Sequence, residues 1–430
     1  MEARLSGYPL FPLSELLTQR HETVHAEGTL GDWQPITIKF SGEVLPRERT
    51  EPFKGAMFAA YPGDLVFSKI DARNGAVGLI PDTIAKAVVT SEYPVFIPNA
   101  EKLRPAYLNY LLRAEHFKAD LQCKASGTSG RKRVTPDGFL SLEVPVPSLD
   151  EQDARIAGYA ADLRRAESLE QEAEAIERAG WQAFEKALGV APPPPLPDRP
   201  VYVARFRDVE RWSHDSILRS LNQPAETESD ITTIPLGQLG KVSYGIQKCP
   251  ANRPGTNARP YLRVANVQRG VLDLREIKHI NVPNEEMPKL RLEVGDVLLC
   301  EGNSPDLVGR GAIWRGEIKD CVHQNHVLRV RVDHSSLLPE FVLAVINSGH
   351  GQGYFRSKAK HTTNLASINS KEVAGFPVPD VSIKQQEKLL SGLNSQVATA
   401  NTKRTEAATL RQSAWTAFES ALFTAGEAVA

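Results

Sequence analysis

Cysteine is scarce in these 430 residues: Cys123, Cys249, Cys300 and Cys321 are scattered, with no C-x-x-C pair. Such spacing neither staples a small secreted domain nor builds a zinc site, so the four read as reduced cytosolic thiols. No apolar run approaches the ~18 residues a spanning helix needs, which argues against a membrane span. The start, Met1-Glu2-Ala3-Arg4-Leu5, lacks the apolar core of a secretory signal, and a cytoplasmic location is expected. Net charge is nearly missing too: 51 Lys and Arg against 52 Asp and Glu leave −1. That excludes a polybasic coat but leaves room for local basic patches.

Catalytic signatures are also lacking. There is no Walker loop, no Asn/Asp-Pro-Pro-Tyr/Phe sequence of an adenine methyltransferase and no nuclease carboxylate–Lys cluster. His323-x-x-His326 has metal-like spacing without a third ligand nearby, aligns with Ser91–Pro94, and reads as a structural pair; no metal and no cofactor of its own is expected. Gly349-His350-Gly351-Gln352-Gly353 follows a helical pattern and lacks Lys-Ser/Thr, so it is no phosphate loop.

What the chain does contain, it contains twice. Apolar residues at 41% and charged residues at 24% describe a folded protein, and its length demands two or more domains. Pro145-Val146-Pro147, Glu151-Gln152, a long helical pattern and Gly180-Trp181-Gln182-Ala183-Phe184-Glu185 close the first half. Pro377-Val378-Pro379, Gln385-Gln386, a second long pattern and Ala414-Trp415-Thr416-Ala417-Phe418-Glu419 close the second. Pro12-Leu13 matches Pro235-Leu236, Gly63-Asp64-Leu65 matches Gly295-Asp296-Val297, and Gly75–Ile80 matches Gly309–Trp314. Leu103-Arg104-Pro105 likewise matches Leu337-Leu338-Pro339, a proline at the first turn of an apolar helix. Matches in one order at nearly constant offset make an internal duplication.

Each copy thus has a mixed α/β globular part followed by a long helix. The expected boundaries are a globular part over 1–147, a helix over 148–190, a Pro-rich spacer over 191–204, a second globular part over 205–380, and a helix with tail over 381–430. Residues 148–190 carry ten acidic and five basic side chains. The helices show heptad spacing: Ile156, Tyr159, Leu163, Ala166, Glu170, Ala173, Glu177, Gly180, Phe184 and Ala187 in the first, and Leu390, Leu393, Val397, Ala400, Arg404, Ala407, Arg411, Ala414, Phe418 and Ala421 in the second. Glu170 and Glu177 face Arg404 and Arg411 in sign, which favours pairing of the two helices over self-association. With short connections and a two-fold relation they would run antiparallel, about 50 Å long, as a ruler of some 15 base pairs.

This layout resembles the specificity subunits of type I restriction–modification enzymes. The resemblance covers residues 8–425 and rests on the duplicated order rather than on one motif. It implies an α/β fold with two target recognition domains separated by two long antiparallel helices in a coiled coil, pseudo-two-fold symmetric. It implies a non-catalytic reader of a bipartite, asymmetric site in double-stranded DNA. It further implies docking of two modification subunits, which hold S-adenosylmethionine and methylate adenine, and of restriction/translocase subunits.

Residues for DNA contact are sought where cations and small polar donors cluster. One segment supplies Lys124, Ser126, Thr128, Arg131, Lys132 and Arg133; its counterpart supplies Lys358, Lys360, His361, Thr362 and Asn364. A second group is Lys69 and Arg73, with Asn303 in the counterpart Glu301–Ser304. A third is Arg263 and Asn266, with Lys248 upstream. Two other readings stay open: a stand-alone bipartite DNA-binding regulator, and a protein-only scaffold.

Overall fold

The computed structural model describes residues 8–24, 31–48, 56–125, 132–190, 232–304, 307–361 and 365–423, together with positions 203, 205 and 217. Two compact units emerge, and the chain enters the first twice. Met1–Gln171 with Lys403–Ala430 form one unit, and Glu172–Thr402 form the other.

The first unit is built on a four-stranded antiparallel sheet in the order Leu17–Arg20, Val95–Pro98, Leu65–Phe67, Val77–Leu79. The second unit repeats that order with Gly240–Ser243, Val327–Val332, Val297–Cys300 and Gly311–Ile313. The central strands Leu65–Phe67 and Val297–Cys300 are buried throughout, as continuous apolar runs require. In the first unit Phe67, Phe96 and Phe139 stack within the core, Phe67 and Phe139 at 4.3 Å between ring centroids. Outside this shared frame the units differ. The first adds a five-stranded sheet containing Gln34–Ile38 and Val44–Pro46, the second a three-stranded sheet of Lys278–Asn281, Ala258–Leu262 and Val322–His323.

Backbone bonds make the repeat atomic. Gly63 and Gly295 take positive φ of 84° and 93°, a conformation that glycine adopts without strain. In the turns that follow, Asp64 accepts from the Tyr61 N–H at 2.8 Å and Asp296 from the Glu293 N–H at 2.7 Å. Each carboxylate, buried, is then gripped by a bidentate guanidinium: Arg20 at 2.8 and 3.1 Å, Arg331 at 2.7 and 2.7 Å. These bonds hold both arginines above their ordinary pKa.

The helix starts are equally alike. Ser148 and Glu151 form a capping box, and Gln385 accepts from the Ser382 N–H and hydroxyl as Glu151 does from those of Ser148. Next to them, buried Gln152 accepts from the Arg104 N–H at 2.8 Å and donates to the Pro147 and Lys102 carbonyls. Gln386 accepts from Leu338 N–H at 2.9 Å and donates to the Val381 and Ser336 carbonyls. Each glutamine thus ties the long helix to the Pro-led helix of its globular part, Pro105–Leu111 or Pro339–Asn347. Gln386 is therefore the partner of Gln152, and strand pairing matches Pro377–Pro379 with Glu143–Pro145, so Pro379 corresponds to Pro145 and not to Pro147 as the two Pro-Val-Pro runs suggest.

The two long helices, Leu149–Ala187 and Ile383–Phe423, pack on each other antiparallel inside each unit. In the first unit Tyr159 meets Trp415 and Phe418, Ala166 and Leu169 meet Ala407, and Arg411 donates to both oxygens of Glu170, at 2.8 Å to Oε2. That guanidinium holds the Glu170 carboxyl below the usual range. In the second unit Gly180 lies against Gln396 and Leu393, and Phe184 shares a core with Leu390 and Leu393. Ile156, Leu163, Glu177, Val397 and Arg404 are half-buried along the same pattern. The seam departs from the heptad at its ends, where Leu188 and Leu422 are buried while Ala187 is exposed and Ala421 half-exposed. A nearly straight helix of 3.6 residues per turn drifts about 20° per heptad, so four-residue steps replace the last three-residue ones.

Among the described residues, no helix is long and apolar enough to cross a membrane.

Candidate nucleic-acid interface

The loop after the central strand is the point where the sequence-selected groups meet. In the first unit the Lys69 N–H donates to the Glu92 carbonyl at 3.0 Å, and the Lys69 carbonyl accepts from the Val134 N–H at 2.8 Å. This clamp joins Lys69 to the segment of Lys132 and Arg133, which lie 63 and 64 residues further along the chain. Arg133 pairs with Glu92 at 3.0 Å on an open surface. Arg73 sits in the short 3-10 helix Ala72–Asn74, which packs near the helix Glu115–Lys124, whose last residue is the exposed Lys124. Gly75 follows at φ 99°, and its Cα faces the Phe40 carbonyl so closely that a Cβ would lie 2.4 Å from it.

The second unit makes the same clamp. Glu301 N–H donates to the His326 carbonyl at 3.0 Å, and Ile368 N–H donates to the Glu301 carbonyl at 2.8 Å. Position 301 therefore corresponds to Lys69, and His326 to Glu92. His323 and His326 align with Val89 and Glu92, not with Ser91 and Pro94; the strand pairing sets this, since Val95 faces Val66 as Arg329 faces Leu298. His323 is buried, bonded to the Val327 carbonyl at 2.7 Å, and burial pushes its pKa down to about 4. His326 turns outward to Glu301 at 2.6 Å. The two rings serve different partners.

Exposed Lys248 joins this edge through its neighbours, because Ile246 and Asn325 bond across it. Lys358 ends the helix Gly349–Lys358, and exposed Lys360 begins the strand Lys360–His361, which pairs with Ala366–Ser367 and through it with Gly302–Asn303. Of Asn303 and His361 only the backbone is described, and Ser126, Thr128, Arg131, Thr362 and Asn364 lie outside the described residues.

Asn266 is differently placed. It is buried, its carbonyl taken by the Arg263 N–H at 2.9 Å and its amide by the Asp273 and Glu276 carbonyls at 2.8 and 3.1 Å. Its hydrogen-bonding capacity toward bases is spent on folding the loop. Arg263 is also tethered, to the Glu276 carbonyl at 3.0 Å and its carboxylate at 3.4 Å. A short polar stretch after an apolar strand reads the same whether it faces solvent or its own backbone.

Sequence reasoning missed the residues that brace these loops. Glu419 accepts from the Glu115 N–H at 2.9 Å, at the start of the helix that ends in Lys124. Glu185 accepts from the His350 N–H at 3.2 Å, at the start of the helix that ends in Lys358. The closing Trp-x-Ala-Phe-Glu of the second copy thus serves the first unit, packing Phe418 near Tyr107 and Tyr110, and that of the first copy serves the second, packing Phe184 near Phe341. Their duplication was visible in the sequence; their exchange of globular parts was not.

Two units of similar frame and different surface, each holding a stretch of both long helices, define the architecture. Residues 55–178 match the family model of the type I restriction modification DNA specificity domain. The chain is similar to the StySPI specificity subunit of Salmonella potsdam, 21% identical over 305 residues, covering 70% of this chain and 60% of that one. It is similar to the EcoKI specificity subunit of Escherichia coli K12 at 22% over 307 residues, covering 70% and 61%. The matches therefore span about three fifths of these curated relatives' length. A chain solved in a study of complex assembly and conformational transition of the type I R-M system shares the fold, with a TM-score of 0.61 at 16% identity and 99% of each chain covered. The findings agree in kind: a DNA specificity domain model over residues 55–178, and similarity to type I restriction enzyme specificity subunits over 70% of the chain.

Proposed function

We propose that this chain reads a bipartite, asymmetric DNA site for a type I restriction–modification assembly, one half-sequence per unit. The observation that carries this reading is the repeated clamp at Lys69 and Glu301, which sets basic loops at equivalent places on two units with different side chains. Lys69, Arg73, Lys124, Lys132 and Arg133, with Ser126, Thr128 and Arg131, serve the first half. Lys248, Asn303, Lys358, Lys360 and His361, with Thr362, Asn364 and the tethered Arg263, serve the second. Lysines and arginines at loop ends bind phosphate, and the side chains between them meet base edges. The paired helices dock two modification subunits, which supply S-adenosylmethionine and the methyl transfer to adenine, and restriction/translocase subunits join that assembly. The chain itself performs no chemistry.

Co-expression with adenine-methyltransferase subunits tests this. A stable complex is expected, with salt-sensitive DNA binding and methylation of one split sequence in the host genome. A lone DNA-binding monomer would instead mark a regulator, and absence of DNA binding a protein scaffold.

A further inference from the structure

We propose that positions 69 and 301 are one specificity-determining position filled with opposite charges. Lys69 selects a base edge rich in acceptors in its half-site, while Glu301 selects an amino-bearing base, cytosine or adenine, in the other. The inference rests on the DNA-reading function proposed above.

The backbone argues for equivalence. Both residues follow the buried central strand, donate to the carbonyl at the 92/326 position at 3.0 Å, and accept from the N–H at the 134/368 position at 2.8 Å. With N–H and C=O fixed alike, the Cα–Cβ bonds leave the two frames in like directions. Only the chemistry they carry is inverted.

The segments joined to position 301 carry cations that suit phosphate: Lys360 is on the strand that pairs with Ala366–Ser367, which in turn pairs with Gly302–Asn303, Lys358 is two residues before it, and Lys248 is two residues after Ile246, which bonds to Asn325. A carboxylate there repels phosphate, so it lowers general DNA affinity. Fold stability does not require it, because its partner His326 is 56% exposed and would be solvated alone. Glu301 itself is 22% exposed and oriented through Oε2, at 2.6 Å from His326 Nδ1. Since an ionised carboxylate only accepts, the imidazole proton sits on Nδ1, and Oε1 is left without a hydrogen bond among the described residues. A positioned acceptor with nothing to accept suits the exocyclic amino groups of the major groove, cytosine N4 or adenine N6. Lys69, a donor only, suits guanine O6 and N7.

The experiment uses the chain in complex with its modification subunits, with methylated sequences mapped genome-wide for wild type, Glu301→Gln, Glu301→Lys and Lys69→Glu. Glu301→Gln keeps shape and an acceptor for His326, so a folded complex is secured even if charge reversal is not tolerated. Discrimination at one base of the second half-site is expected to fall about 10- to 100-fold in both Glu301 variants, with the first half-site unchanged. Lys69→Glu should do the converse. Retention of the wild-type sequence in both halves, with affinity shifted uniformly, overturns the proposal while leaving the DNA-reading function standing. A wild-type complex that methylates no defined sequence overturns both.

Discussion

Asp64 and Asp296 each carry a carboxylate into the protein interior, where a charge deprived of its partner costs several kcal/mol. Arg20 and Arg331 supply those partners from other strands of the same sheet, so Arg20→Ala and Arg331→Ala should each destabilise their unit by about 3 kcal/mol. Urea unfolding measures it, and Asp64→Asn or Asp296→Asn in the same background should recover part of the loss. His323 gives a second residue-scale prediction. Burial holds its pKa at about 4 in the folded protein, against an ordinary value near 6.5. Between those values the unfolded chain binds more protons, so stability falls as pH drops through that window and returns as pH rises. About 2 kcal/mol should be lost between about pH 7.5 and about pH 5, and His323→Leu should remove that part of the pH dependence. The Gly-Asp turns were legible in the sequence because positive φ demands glycine. Their arginines were not, since one comes from the edge strand Leu17–Arg20 and the other from Val327–Val332. Asn266 misled for a related reason: burial, not residue type, decides whether an amide reads DNA or caps a loop.

At the scale of elements, three glycines in the long helices separate local cost from packing. Gly158 and Gly392 stand at matching positions with nothing within 4 Å of an added Cβ. Glycine inside a helix costs about 1 kcal/mol relative to alanine, so Gly158→Ala and Gly392→Ala should each stabilise by that amount. Gly180 is opposite in sign. A Cβ there would lie 2.7 Å from the Cβ of Gln396, so Gly180→Ala should cost about 1 kcal/mol through overpacking, despite better helix propensity. Thermal melts of the three variants check both directions. Heptad spacing made the helices and their seam readable, because one amphipathic face repeats along many turns. It could not tell which globular part the Trp-x-Ala-Phe-Glu ends would brace. That choice depends on Tyr107, Tyr110 and Phe341, each far away in sequence from the helix end it meets. The Gly-Asp match already set Glu301–Ser304 against the Lys69 segment, and the backbone bonds fix Glu301 itself as the counterpart of Lys69 although their side chains share nothing.

For the whole molecule, the proposed function makes the long helices a ruler, and a ruler can be cut. Removing 164–170 from the first helix and 405–411 from the second takes out one heptad each, including Glu170 and its partner Arg411 together. Seven residues are close to two helical turns, so the remaining seam stays in register, and each helix shortens by about 10 Å. About 3 base pairs of duplex span the same length. The half-sequences should therefore persist while the gap between them contracts by about 3 base pairs, read from methylated sites. Affinity should fall as well. Those 3 base pairs also rotate the duplex by about 100°, at 10 to 10.5 base pairs per turn, whereas the excised heptad leaves the helix face almost unrotated. The cut complex must then twist the DNA or accept a poorer fit at one half-site. An unchanged gap with unchanged affinity would mean that something other than the paired helices sets the spacing.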